Sequence, residues 1–397
     1  MHSESEAGPT RSATREDGPP VTVEEICDRS ALDALAPEWT AFDARAGANF
    51  FSTWEWVSTW LDSFHAGRPL GVLFARRGER LVGVLPLVAG TPGGLCRVDL
   101  QMPANGQTPC GALAYDGCPT SVLAAFFEHV RRTHGRAALK LPLLSADDPA
   151  VAAAEDIASV RRYGLHRSPG RDSSRILVQG SWADYLATRS KHVQREWRRK
   201  KKRLEEAGKV ETRLVTAPAD VPAALGEILE IESHSWKHEK GTSFQREAGV
   251  AAFYERLALR CAERGWLRLS VLRLDGRPVA HCFAVAYGGE LLALKTSFDG
   301  QLAQLSPGLT LMLAVAESAF VEGLSAVDLL GDPVRWKCEM ANGQRSYVNV
   351  CVFPRGMVRC EACLFLRERV APTLRKNLPP SVVVAGRRWL APFRSDD

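Results

Sequence analysis

Apolar positions along the chain switch between a period near two and a period near 3.6, and each switch marks a new element. Residues 21–26 alternate as a strand, while 30–42, opened by Ser30, and 49–64, carrying Trp54, Trp56 and Trp60, repeat at helical spacing. Residues 69–75 and 81–89 read as strands joined through Arg77-Gly78-Glu79, with 98–101 and 111–115 as shorter ones. A helix over 120–132 and a strand over 137–141 follow. The same succession recurs from Arg175: a strand at 176–178, helices around 185–207, a strand at 213–216, and helices at 222–237 and 246–262. Then comes WLRLSVLRLDGRPVAHCFAVAYGGELLAL, where Asp275-Gly276 and Gly288-Gly289 sit between alternating apolar runs as hairpin turns. The repeated layout predicts two α/β domains of one type.

The stretch from Leu291 to Trp336 builds a ligand site in outline. A strand over 291–298 leads to the turn Ser306-Pro307-Gly308, a helix over 309–322, a short strand over 326–330, a break at Gly331-Asp332-Pro333, and a charged loop with Arg335, Trp336 and Lys337. Ser306 is placed to cap the helix, with Pro307 just inside its first turn. The N–H groups of Gly308, Leu309 and Thr310 then point outward at the positive end of the helix dipole, which suits a pyrophosphate. Gly308 would let a ligand approach the main chain closely.

Composition narrows the function classes. The chain has 397 residues, 45% hydrophobic and 24% charged, which fits two ordinary globular domains. A net charge of +5 is too small to argue by itself for nucleic acid. No apolar run reaches the ~18 residues of a membrane span, and the first twenty residues lack the apolar core of a secretory signal, so a cytoplasmic location is expected. Ten scattered cysteines read as free thiols, and the lone Cys360-Glu361-Ala362-Cys363 lacks a zinc partner; no metal is expected. There is no Walker loop, nucleophile elbow, HExxH or GxGxxG.

Two basic segments add possible partners. RSKHVQREWRRKKKRLEEAGK, residues 189–209, puts Val193, Trp197 and Leu204 on one helical face with cations around them, a solvated amphipathic helix that could also meet an RNA. The segment after Pro354, with Leu364, Phe365 and Leu366 beside Arg367 and Arg369, is amphipathic and basic, and suits docking or peripheral contact with an anionic membrane.

The series from Lys295 through VDLLGDPVRWKCEM, preceded by Glu232, Trp236 and Gly241, by Phe253, Tyr254 and Leu257, and by the hairpin, resembles the GNAT-related CelD-like acetyltransferase family, related to the Fem aminoacyl transferases. The resemblance implies two tandem GNAT-like domains, each a mixed, mostly antiparallel sheet flanked by helices. They follow a disordered tail (1–20) as an N-terminal domain shaping an acceptor pocket (21–170) and a C-terminal acyl-CoA domain (171–355), ahead of a basic extension (356–397). It implies acetyl-CoA or another acyl-CoA at Lys295, Thr296, Ser306, Pro307, Gly308, Leu309 and Thr310. Glu232, Asp328 and Lys337 are the implied catalytic residues, and Trp236, His281 and Trp336 contact substrate. The ordinary GNAT pattern of Gln or Arg, two residues, then Gly-x-Gly or Gly-x-Ala is not met at Gln304, so coenzyme binding rests on the subfamily likeness.

The chemistry expected is direct transfer of an acyl group to an amine or hydroxyl of a cell-envelope or polysaccharide precursor or a small molecule, by a monomer or homodimer. His234 and His238 are further candidate bases. Two alternatives stand beside it: a Fem-like transferase using aminoacyl-tRNA, with the basic helix on the tRNA, and a non-catalytic tandem scaffold.

Overall fold

A computed structural model describes residues 19–65, 70–89, 100–103, 111–161, 163–235 and 249–365. One mixed 13-stranded sheet runs through them in the order β1 (Val21–Ile26), β2 (Leu70–Arg77), β3 (Arg80–Ala89), β4 (Leu100–Gln101), β6 (Leu139–Ser145), β13 (Gly343–Pro354), β7 (Tyr163–Leu177), β12 (Ala326–Asp328), β11 (Glu290–Phe298), β10 (Arg277–Tyr287), β9 (Leu267–Leu274) and β8 (Val210–Val215). A short β5 (Ala114–Tyr115) lies beside β3.

The halves exchange strands. β13, from the C-terminal half, lies between β6 and β7, while β7, from the N-terminal half, pairs with β12. The boundary expected between 170 and 171 therefore falls inside β7. Only 176–178 of this strand was expected, because Ser168-Pro169-Gly170 and Asp172-Ser173-Ser174 carry loop chemistry. Pairing with β13 from Tyr163↔Pro354 to Arg175↔Gly343 overrides that local preference.

Helices cover both faces. On one lie α1 (Arg29–Ala34), α2 (Ala36–Ala46), α3 (Trp54–Phe64), α8 (Val221–Ser233) and α9 (Val250–Glu263), which share a single apolar core across the two halves. The other face is covered by α4 (Pro119–Thr133) and α5 (Pro149–Val160) over the first half, and by α6 (Trp182–Thr188), α7 (Lys191–Ala207), α10 (Pro307–Val321) and α11 (Arg335–Met340) over the second. A last helix, α12, spans Val358–Phe365. Trp56 of α3 meets Phe253 of α9 edge to face at 5.1 Å, and such buried aromatic pairs tie the halves together.

Three local expectations are corrected. Asp28, not Ser30, caps α1: its carboxylate accepts the Ala31 N–H at 2.9 Å, and the helix closes on its cap Leu35, after which α2 begins at Ala36 with Pro37 in its first turn. The charged loop at Arg335, Trp336 and Lys337 is the helix α11. A 3-10 turn over Gly300–Leu305 stands between β11 and α10, capped by Asp299. Among the described residues, no helix is long and apolar enough to cross a membrane.

Candidate functional site

The second half of the sheet parts at one place. β11 and β12 run parallel and pair at only three positions, Glu290↔Ala326, Leu291↔Val327 and Leu292↔Asp328. Two residues farther on, the ladder between β10 and β11 slips from Ala284↔Ala293 to Phe283↔Lys295, leaving Leu294 as an extra residue. Such a bulge bends its strand. β12 meanwhile stays with β7, the Leu329 N–H reaching the Ser174 carbonyl at 2.9 Å. The sheet therefore parts between β11 and the chain leaving β12.

The start of α10 stands against the far end of β11. A Cβ on Gly308 would come within 2.9 Å of the Phe298 ring, so this glycine seats the helix on the strand. This is a packing reason for Gly308 beside the expected one, close approach by a ligand. Ser306 has φ 54° and its side chain makes no cap hydrogen bond; its carbonyl instead accepts from the Thr310 N–H at 3.2 Å and Thr310 Oγ1 at 3.3 Å. The outward donors are thus two, not three. Among the described residues the Gly308 and Leu309 N–H groups have no acceptor, as the first turn of a helix dictates.

Register sorts the β11 side chains. Lys295 and Ser297, with Phe283 and His281 across from them on β10, face the layer of α8 and α9; Thr296 and Cys282 face α10. Glu232, in the last turn of α8, projects onto the first group. Its Oε1 lies 3.4 Å from His281 Nε2 and 3.9 Å from Lys295 Nζ, with Glu232 and His281 at 0% side-chain exposure. Lys295 Nζ also sits 5.4 Å from the centre of the Tyr254 ring, a cation–π contact.

Asp328, at the end of β12, is fully buried in a second ionic group. Oδ1 accepts the Ser173 hydroxyl and the Leu330 N–H, while Oδ2 faces Arg345 Nη1 at 3.5 Å and Arg175 Nε at 3.8 Å. Both arginines also hold Glu290, Arg345 through Nη2 at 2.9 Å. Burial pushes the Asp328 carboxyl above its ordinary pKa, opposed by these hydrogen bonds and the arginines. Lys337 donates from Nζ to the Leu330 carbonyl beside the Trp336 ring, and burial lowers its pKa.

The structure thus brings Glu232, His281 and Lys295 together on one face, puts Asp328, Lys337 and Trp336 at the β12 side, and sets Ser306, Pro307, Gly308, Leu309 and Thr310 at the end of β11. Trp236, Gly241 and His238 lie outside the described residues, as do most of the tail and of the basic extension. His234 is the C-cap of α8 and hydrogen-bonds locally, Nδ1 lying 3.1 Å from the Glu230 carbonyl. Ser173, Arg175, Glu290 and Arg345 were not foreseen. The only sequence signal for Arg175, Glu290 and Arg345 was their charge, and Ser173 had none. Among the described residues, no group of three or more His, Cys, Asp or Glu side chains is placed to hold a metal.

A mixed sheet parted between two parallel strands, with a helix starting at the parted end, is the architecture of a GNAT-type transferase. Residues 191–338 match the model of the acetyltransferase (GNAT) domain, and the chain carries a GNAT-related domain there. Among solved structures, FemX is similar over 87% of this chain and 100% of its own, at 11% identity and a TM-score of 0.56. The C-terminal DUF2156 domain of a lysylphosphatidylglycerol synthetase candidate from Agrobacterium fabrum matches over 84% and 97%, at 13% identity and 0.51. A conserved protein of unknown function from Bacteroides thetaiotaomicron matches over 80% and 97%, at 14% and 0.50. These likenesses concern the fold. No curated protein matches significantly in sequence.

Proposed function

We propose that the protein is an acyl-CoA-dependent N- or O-acyltransferase of the CelD-like kind, moving an acyl group directly to an amine or hydroxyl of a cell-envelope or polysaccharide precursor or a small molecule. The observation that carries this reading is the parting of the strands: the β11–β12 ladder stops after Leu292↔Asp328, and the α10 N–H groups stand where β11 ends. A pantetheine-sized arm fits an opening between strands, and a pyrophosphate suits helix-terminal amides. In the first half, by contrast, Met102 N–H bonds the Lys140 carbonyl at 3.1 Å and Gly111 N–H bonds the Leu143 carbonyl at 2.8 Å on the corresponding side of β6, so among the described residues the chain there stays joined to β6.

In the reaction the acceptor nitrogen or oxygen attacks the thioester carbon, the C–S bond breaks, and the acceptor's proton is passed on as the thiolate leaves. Glu232 is the base assigned here, with His281 beside it as the group through which the proton reaches it. Asp328 and Lys337 hold the chain at the end of β12 that forms the other wall.

Calorimetric titration of the full chain with acetyl-CoA and CoA tests the reading, beside Thr310→Glu, which sets a carboxylate at the amides while suiting a helix first turn. Saturable binding lost in the variant supports it. No binding by the wild type overturns it, and tRNA binding that weakens steeply with salt would then favour the aminoacyl-tRNA-dependent alternative.

A further inference from the structure

A second cleft, of about 700 Å³, lies where the two halves meet at the other end of β11. Its walls come from α2 and α3 of the first half and from the β9 and β10–β11 turns of the second, with Asp43, Glu55, Arg264, Trp266, Tyr287 and Gly288 among the lining residues. The length of β11, Glu290–Phe298 at ~3.3 Å per residue, sets it roughly 26 Å from the start of α10.

The carboxylates in this cleft are not equivalent. Glu55 is committed to Arg264, whose Nε donates to it at 2.6 Å while Nη2 donates to Thr40 Oγ1 at 3.1 Å. Asp43 is 4% exposed; Oδ2 accepts the Trp54 N–H at 3.3 Å, the Trp39 indole lies near enough to favour the charged form while giving its N–H to the Ser52 carbonyl at 3.1 Å, and Oδ1 has no hydrogen-bond partner among the described residues. Among those residues no Lys, Arg or His pairs with it. A buried carboxylate oxygen with neither donor nor counter-charge is costly unless something supplies both. Trp266 and Tyr287 stand beside it edge to face at 4.8 Å, backed by Phe50.

We propose that this cleft binds a small organic ammonium, its N–H groups directed to Asp43 and its apolar body against Trp266 and Tyr287. An ammonium satisfies Oδ1, balances the charge that Arg264 leaves over, and gains from the aromatic faces. An anion meets two carboxylates. A neutral alcohol supplies the hydrogen bond without the charge. The size of the cleft accepts a fragment with a ring or short chain. Burial pushes the Asp43 carboxyl up to about 8, the state a counter-ion would reverse.

The test is titration of the full-length chain with benzylamine, benzyl alcohol as the uncharged twin, in the wild type, Asp43→Asn and Ala44→Trp. Ala44 is an exposed wall residue, so the tryptophan fills the cleft without touching the buried carboxyl. The expected result is saturable benzylammonium binding that weakens at least tenfold in both variants, with benzyl alcohol at least tenfold weaker than benzylammonium. Absent saturable binding, equal binding of the two probes, or wild-type affinity in either folded variant overturns the proposal. Should Asp43→Asn lose its circular dichroism, Ala44→Trp decides alone.

Discussion

Leu143 and Leu330 share a left-handed backbone conformation, φ 54° and 44°, each two residues past a ladder pair, Leu141↔Val350 for β6 and Asp328↔Arg175 for β12. Each leucine N–H is held by a side-chain oxygen, Asn349 Oδ1 at 3.1 Å and Asp328 Oδ1 at 3.0 Å. A leucine at positive φ is strained and persists only where its surroundings enforce it. The halves therefore repeat one left-handed leucine with different chemistry, at a bulge inside β6 in the first and past the end of β12 in the second, Leu141 standing where the second half has Asp328.

Asp328→Leu makes the second half resemble the first. The apolar side chain suits the backbone but leaves Arg175 and Arg345 with Glu290 alone, and removing one partner of a buried ionic group costs about 3–5 kcal/mol. Urea unfolding is expected to show a loss of this order with the fold retained. A loss under ~1 kcal/mol would mean that Glu290 alone suffices for both arginines.

Gly308→Ala brings a Cβ to 2.9 Å from the Phe298 ring, and overpacking of this kind costs about 1–3 kcal/mol. Pairing it with Phe298→Leu should recover most of that loss. Urea midpoints of the two single variants and the double variant check this; additive losses would show that the glycine serves something other than helix seating.

Local signals carried much of the fold. Asp275-Gly276, at φ 51° and 80°, forms the hairpin turn its sequence announces, and the apolar run after Pro307 is the helix α10. What stayed illegible depends on pairings far apart in sequence. Ser173, Arg175 and Arg345 meet Asp328 only because β7 and β13 cross between the halves, and no local period encodes an exchange of strands. Likewise Glu232 was reached through resemblance; that His281 and Lys295 converge on it follows from the β10–β11 register. That Gly308 also seats α10 on Phe298 stayed hidden because turn chemistry shows that a residue is small without showing which neighbour requires it.

Glu232 and Lys295 offer a direct measure of coupling. Their carboxylate and ammonium lie 3.9 Å apart in a buried setting, so either Glu232→Gln or Lys295→Met removes one side of a buried ion pair. A double-mutant cycle by denaturant unfolding is expected to give an interaction of about 1–3 kcal/mol, the double variant being less destabilised than the sum. Additivity within ~0.5 kcal/mol would show that each charge finds its stabilisation elsewhere.

Asp43 should make stability fall as pH rises. Its carboxyl is pushed up to about 8 in the folded protein, chiefly by burial, with Glu55 adding repulsion. In the unfolded chain an aspartate titrates near ~4. Below that value both states are protonated and the folded state keeps its full advantage. Between about 4 and 8 the unfolded state releases a proton that the folded state retains, so stability declines with pH, and above about 8 the decline stops. An asparagine amide in the same place has no proton to lose. Asp43→Asn is therefore expected to gain on the wild type from pH 5 to pH 8.5, by on the order of a few kcal/mol, read from urea midpoints at both values. A difference that stays constant across that range would mean that Asp43 ionises in the folded protein as it does in water, and that its Oδ1 finds a donor within the chain.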